Sequence, residues 1–452
     1  MKKYIVSVIL LIICLAVCGC SGGPFAQDIP ASEPTSEITP VPAETPAPTP
    51  APTPEPYAEG FDMCGKHCTT DDASLDLRNV SEGDLILLKD VAPYMKNLLT
   101  VELGDEVNNP KDWNLIKSLE DIFPEASFDY SFSLYGEPMT LNTEYIDLRK
   151  IPVNDEGEAV VKALPCMKKA FYLDMDSCGV GDERMAEIRD AFPDIKVVWR
   201  VHFGSLDYSA RTDVKTILCS LSGIGDYAGL TNEESCRPLT YFTDLVNLDC
   251  GHNSVMQSLY YLEYMPNLEV LITYENYIRD ISGLKYAKNL RYLELFGSSM
   301  KDVSAIAELD NLTDLMLCAC YNVSDISALI PADVLPNLTR FYIAGTEQFI
   351  PHEQIEQFKV NHPNCEVNTD ENSVGTHWRF IDLNIGNSRE NQVPQYQEIC
   401  DIFHYSAENR GGYNLSPNDP YYTTPHGEPV EGEKMEWYYG HGDLNKEHYK
   451  TE

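Results

Sequence analysis

One nine-residue pattern, Leu-x-x-Leu-x-Leu-x-x-(Asn/Ser/Cys/Thr), recurs at Leu245, Leu268, Leu290, Leu312 and Leu338, at separations of 23, 22, 22 and 26 residues. A period this short holds one strand and one return segment, and a unit of that size cannot bury its own apolar face. Copies must stack, so the chain is expected to fold as a solenoid with its strands side by side. Within each copy the first, fourth and sixth positions point inward, and the third, fifth and seventh point out. The ninth position holds Asn253, Asn276, Ser298, Cys320 and Thr346, and Cys178 in an upstream segment that fits the same template. All are small and can hydrogen-bond, as a site needs where the chain turns off a strand and its backbone groups lose their partners.

The outward positions supply the candidate functional residues. Tyr172, Ile272, Tyr274, Tyr292, Glu294, Phe296, Met316 and Tyr342 are expected on the strand face. Neighbouring strands stand about 4.8 Å apart, so most of these groups would meet in one apolar patch rimmed by Asp249, Glu294 and Asp314. An exposed patch of this kind marks an interaction site, with tyrosine a common anchor. The competing expectation is that the chain beyond Asn372, or another copy, covers it. That last part is rich in aromatic residues, among them Trp378, Phe380, Phe403 and Tyr405, and 392–405 is a candidate helix.

Between the strands run Asp280-Ile281-Ser282-Gly283-Leu284 and Asp325-Ile326-Ser327-Ala328-Leu329, with Val303-Ser304-Ala305-Ile306 between them. This signature resembles the internalin-like leucine-rich repeats of bacterial surface proteins, and the chain as a whole is similar to the leucine-rich repeat lipoproteins of Firmicutes. The resemblance implies an α/β solenoid, a leucine-rich repeat horseshoe, with irregular N-terminal repeats and helix-Pro-strand cap units. It also implies surface display and a protein or glycan partner, without naming the ligand.

Ahead of the regular array the chain is duplicated. Leu75-Asp76-Leu77-Arg78 and Phe123-Pro124 return as Ile146-Asp147-Leu148-Arg149 and Phe192-Pro193, so each copy reads as strand, helix, strand, helix, strand. The last part occurs a third time, with Phe358 ahead of Pro363; a proline there stops the helix and returns the chain to the sheet.

The N-terminus reads as an address. Lys2 and Lys3 precede an apolar run that is too short to span a membrane and ends at Gly19-Cys20, which resembles the lipobox of bacterial lipoproteins. Cys20 would be lipidated, placing the protein on the extracellular face of the cell membrane with the anchor as its one membrane contact. The proline-rich run to Pro56 is a stiff spacer, on the order of 40 Å for a dozen residues. The expected divisions are therefore 1–19 signal peptide, 20–57 anchor and tether, 58–204 duplicated units, 205–372 repeat array with its cap, and 373–452 tail.

The formal charge of −38, which becomes −40 when Lys2 and Lys3 leave with the signal, argues against nucleic acid as a partner. No nucleophile elbow or His-Glu-x-x-His pair occurs, and His352-Glu353-Gln354-Ile355-Glu356 has Glu where a second metal-binding His is required. Neither an enzyme nor a cofactor is expected. Cys64 and Cys68 are read as a small disulfide loop or free thiols, ahead of a metal site.

Overall fold

The computed structural model describes residues 56–203, 208–218, 233–253, 255–370, 378–382 and 388–403. The expectations for the signal peptide, Cys20, most of the tether and the chain beyond 403 lie outside the described residues.

The chain opens with a hairpin of β1 (Phe61–Met63) and β2 (Lys66–Cys68), whose turn carries Cys64; Cys64 and Cys68 are free thiols. The first duplicated unit follows as β3 (Ser74–Asp76), α1 (Leu85–Val91), β4 (Thr100–Asp105), α2 (Trp113–Ile122) and β5 (Ser127–Leu134), closed by β6 (Glu137–Thr140). The second runs β7 (Tyr145–Asp147), α3 (Glu158–Ala163), β8 (Tyr172–Asp174), α4 (Asp182–Ala191) and β9 (Lys196–Val198). Strands β3, β4 and β5 pair in parallel, as do β7, β8 and β9. The copies share detail as well as order. Arg78 folds back on Asp76 at 2.6 Å, and Arg149 on Asp147 at 2.8 Å.

A hairpin of β10 (Arg200–Phe203) and β11 (Tyr208–Arg211) separates this part from the regular array. There β12 (Thr216–Leu218), β13 (Asn247–Asp249), β14 (Val270–Ile272), β15 (Tyr292–Glu294), β16 (Asp314–Met316), β17 (Arg340–Tyr342) and β18 (Glu366–Asn368) form one seven-stranded parallel sheet. Val270, Tyr292, Asp314 and Arg340 pair in one register row, and Ile272, Glu294, Met316 and Tyr342 in the next. One strand and one return turn per repeat is leucine-rich repeat architecture. The first, fourth and sixth positions form the core: Leu290, Leu293, Leu295, Leu312, Leu315 and Leu317 are fully buried.

The ninth position does the work its chemistry suggested. Asn276 Nδ2 donates to the Cys250 carbonyl at 2.8 Å while its Oδ1 accepts from the Asn253 amide at 2.7 Å. Thr346 Oγ1 donates to the Leu317 carbonyl at 2.6 Å, and the Cys320 thiol to that of Leu295 at 3.1 Å. Side chains thus supply hydrogen bonds between repeats where the strand ladder has ended.

Within the regular repeats the return segments are 3-10 helices, at Tyr260–Tyr264, Ser282–Tyr286, Ser304–Glu308 and Ser327–Leu329, so among the described residues α-helices are confined to the flanks and the closing segment. About 22 residues leave room for little else, since a 3-10 turn advances further per residue than an α-turn. The Asp-Ile-Ser signature starts these turns: Asp280, Asp302 and Asp325 accept the amides of Ser282, Ser304 and Ser327 at 2.8–2.9 Å. One expectation is corrected: β8 fits the repeat template, yet it lies in the separate three-stranded sheet, with the β10–β11 hairpin between it and the array. Local likeness survives there, with the Cys178 thiol donating to the Leu148 carbonyl at 2.7 Å.

Helix α5 (His352–Asn361) leads through Pro363 into β18 and matches the ends of α2 and α4. The amides of Phe123, Phe192 and His362 each donate to the carbonyl four residues back, at 2.8–3.2 Å. The chain of described residues ends in α6 (Pro394–Phe403).

Gly283 shows how tightly the repeats stack, for a Cβ there would lie 1.9 Å from the Leu259 carbonyl oxygen. Gly283→Ala is expected to force the backbones apart at a cost of about 1–3 kcal/mol in a denaturant titration. An unchanged midpoint would contradict the spacing.

Candidate functional site

Seven of the eight expected residues gather on the strand face: Ile272 on β14 with Tyr274 just beyond it, Tyr292 and Glu294 on β15 with Phe296 beyond, Met316 on β16 and Tyr342 on β17. Tyr172 does not join them. It sits on β8, where its hydroxyl donates to Asp213 at 2.7 Å beneath Arg211.

The expected exposure of this patch is corrected. Tyr292, Glu294, Met316, Ile272 and Tyr342 are buried, while Tyr274 and Phe296 are half-buried. The cover is the chain's own Trp378-Arg379, which lies on Tyr292, Glu294 and Tyr342, while α6 is tied to Arg291 through Glu398 and packs against β12. Alternation along a strand says which side chains leave the sheet; it cannot say whether water or protein meets them.

The seat is built in layers. Tyr274 and Phe296 stack face to face, with centroids 4.2 Å apart and planes 3° from parallel. The Tyr292 hydroxyl donates to Glu294, and burial with that neighbouring charge pushes the phenol far above its usual range, keeping it a neutral donor. Burial likewise pushes Tyr274 and Tyr342 up to about 12.

Trp378 enters this seat fully buried. Its indole N–H points at the Tyr292 hydroxyl, 2.7 Å away, and at Glu294. The ring lies edge-on to Tyr342 and under the Arg340 guanidinium, 4.1 Å from its centroid. Arg340 also donates to the Trp378 carbonyl at 2.6 Å and to Asp314 at 3.0 Å. Arg379 reaches Glu294 Oε2 at 2.9 Å, within 5.2 Å of the Tyr274 ring and 5.1 Å of Tyr396. Two buried carboxylates therefore face two guanidinium groups, one of which comes from the covering segment. Beside the seat, Arg291 holds Glu398 of α6 at 2.7 Å.

The partners that the strand pattern missed are Trp378, Arg379, Tyr396 and Glu398; Arg340 is the outward third position of its own repeat. A signal for α6 was present: Tyr396, Ile399, Cys400 and Phe403 fall at i, i+3, i+4 and i+7, an apolar helical stripe, and all four are buried.

A second buried cluster lies under the β10–β11 hairpin. Arg211 contacts Asp174 at 2.8 Å and Asp213 at 3.0 Å, and Arg200 holds Asp176 at 2.6 Å. Burial raises the Asp174 carboxyl to about 6, against the opposing pull of Arg211. The folded chain thus keeps a proton that an unfolded aspartate releases near pH 4. This contribution to stability is full below about pH 4 and is lost as pH rises through about 6. Asp174→Asn has no such proton, so the stability of wild type relative to this variant is expected to fall by about 2–3 kcal/mol between pH 4 and 6. Denaturant titrations at the two pH values check it, and a constant difference would contradict it.

Among the described residues no group of His, Cys, Asp and Glu is arranged to hold a metal ion, and no helix is long and apolar enough to cross a membrane. His352 and Glu356 lie on α5, with Glu356 paired to Lys359.

No protein-family model matches the chain, and no curated protein matches it. Among solved structures it is similar to an internalin from Listeria monocytogenes, at 17% identity over 63% of this chain and 79% of that one, with a TM-score of 0.29. Internalin C2 of the same organism matches at 18% identity over 34% of this chain and 80% of that one, with a TM-score of 0.23. A leucine-rich repeat protein from Leptospira interrogans matches at 12% identity over 65% and 99%, with a TM-score of 0.16. The repeat class rests on the in-register strands and recurring 3-10 turns, which these likenesses do not extend.

Proposed function

We propose that the chain is a lipid-anchored protein of the extracellular surface that binds a protein or glycan on the strand face of its solenoid. The observation that carries this reading is the seat itself, where aromatic rings, two carboxylates and a guanidinium converge on a peptide segment. Repeat sheets supply such broad faces without the closed pocket that catalysis needs. The anchor follows from Gly19-Cys20 and the proline-rich spacer. A protein and glycan array probed with the full mature chain tests the binding. A ligand captured by the Trp378→Ala, Arg379→Ala double variant and lost when Glu294→Gln is added supports it, and an array empty for both the wild-type chain and the double variant at micromolar protein contradicts it. For the anchor, a mass spectrum showing unmodified Cys20 would be decisive against it.

A second reading is favoured by the cover over the seat: an assembly protein in which the segment after Asn372 is a permanent structural element. Deleting that segment should then change the oligomeric state or expose dye-binding apolar surface.

A further inference from the structure

The seat is selective in its chemistry. A segment that only had to shield apolar strand residues would do so with aliphatic side chains, which cost no desolvation. Here a buried carboxylate, Glu294, meets the indole N–H and the guanidinium of two consecutive residues, and Arg340 lies over the indole while holding its carbonyl. Buried charges of this kind add little net stability and fix which partner fits and in what register. The solenoid contributes most of the arrangement alone: the Tyr274–Phe296 stack, the Tyr292–Glu294 hydrogen bond and the Arg340–Asp314 pair all join residues of the repeats. The covering segment adds Trp378, Arg379 and the Tyr396 ring. It does not fit perfectly, since Gln392 Oε1 is buried without a hydrogen-bond partner.

We propose that this seat is a recognition site for a protein segment carrying an aromatic residue followed by arginine, and that Trp378-Arg379 occupies it in cis as a stand-in for that partner. The proposal rests on the binding reading above and names the class of partner and its regulation. Because the cis segment is tethered, it competes at a high effective concentration. An external segment binds strongly once the cis occupant is weakened, and the site is held closed until then.

The test is fluorescence anisotropy with a labelled synthetic peptide of sequence 376–403 and the full mature chain. The double variant Trp378→Ala with Arg379→Ala is expected to bind the peptide about tenfold or more tighter than wild type. Adding Glu294→Gln, or replacing the peptide's arginine by glutamine, should lose a similar factor. Equal binding by wild type and the double variant, or indifference to either glutamine substitution, would overturn the proposal. So would exchange of the segment between two copies without peptide capture. Should the double variant not fold, hydrogen exchange of the wild-type chain decides. Amides of 378–382 and 394–403 should exchange through an opening that leaves β14–β17 protected, and exchange only with global unfolding would overturn the idea. An empty ligand array leaves the peptide result standing, and a failed peptide exchange leaves an array ligand standing, so the two readings fail separately.

Discussion

Replacing Arg211 with methionine is expected to cost about 3–5 kcal/mol of stability at pH 8 and clearly less at pH 5. Arg211 is buried with Asp174, Asp176 and Asp213 around it, at 2.8, 3.6 and 3.0 Å. Removing the guanidinium leaves these carboxylates to repel one another where water cannot screen them. Methionine fills a similar volume, so the loss is of charge rather than of packing. The pH dependence follows from Asp174, whose carboxyl is already raised to about 6 and rises further without its partner. At pH 5 it takes up a proton and the penalty shrinks. Denaturant titrations at both pH values check this, and a loss below about 1 kcal/mol at pH 8 would show that water reaches the cluster.

Trp378→Ala is expected to have an effect of similar size, about 3–5 kcal/mol, confined to the docking of the covering segment. The indole is wholly buried, lies against Tyr292, Tyr342 and Arg340, and is the donor that turns Glu294 toward the segment. Without it, α6 should leave the sheet and the strand face should bind an apolar dye, while the main unfolding transition of the repeats moves little. A single transition, shifted as a whole and with no gain in dye binding, would make the segment an inseparable part of the solenoid fold.

The repeats were legible because each position has one physical duty. Leu290, Leu293 and Leu295 must be apolar to stack, Asn276 and Thr346 must hydrogen-bond where the ladder ends, and the aspartate of each Asp-Ile-Ser start must accept an amide. Such local duties leave a period in the sequence. The duplicated units were legible for the same reason, through their Asp-x-Arg pairs and the prolines behind their helices. The state of the strand face was not. Tyr292 and Trp378 lie 86 residues apart, and nothing periodic joins them. An outward tyrosine has the same sequence signature whether it meets solvent, a ligand or the chain's own tail. The apolar stripe of α6 shows that the helix must pack somewhere, but the choice of sheet is set by complementary charges, Arg379 with Glu294 and Glu398 with Arg291. Such pairs can be recognised only once the partners are known to be neighbours. Tyr172 was misplaced for a related reason: its strand carries the repeat pattern, and the β10–β11 hairpin that removes it from the array has no repeat signature of its own.

Hydroxyl-radical footprinting of the full chain, read by mass spectrometry, shows whether the chain's own segment occupies the strand face. Tyr277 and Tyr321, 52% and 60% exposed in the same repeats, serve as the internal reference. Tyr292, Met316, Tyr342 and Trp378 should be protected while those two are modified rapidly. Modification of Tyr292, Met316 and Trp378 at the rate of Tyr277 would mean an open face and would contradict that occupancy.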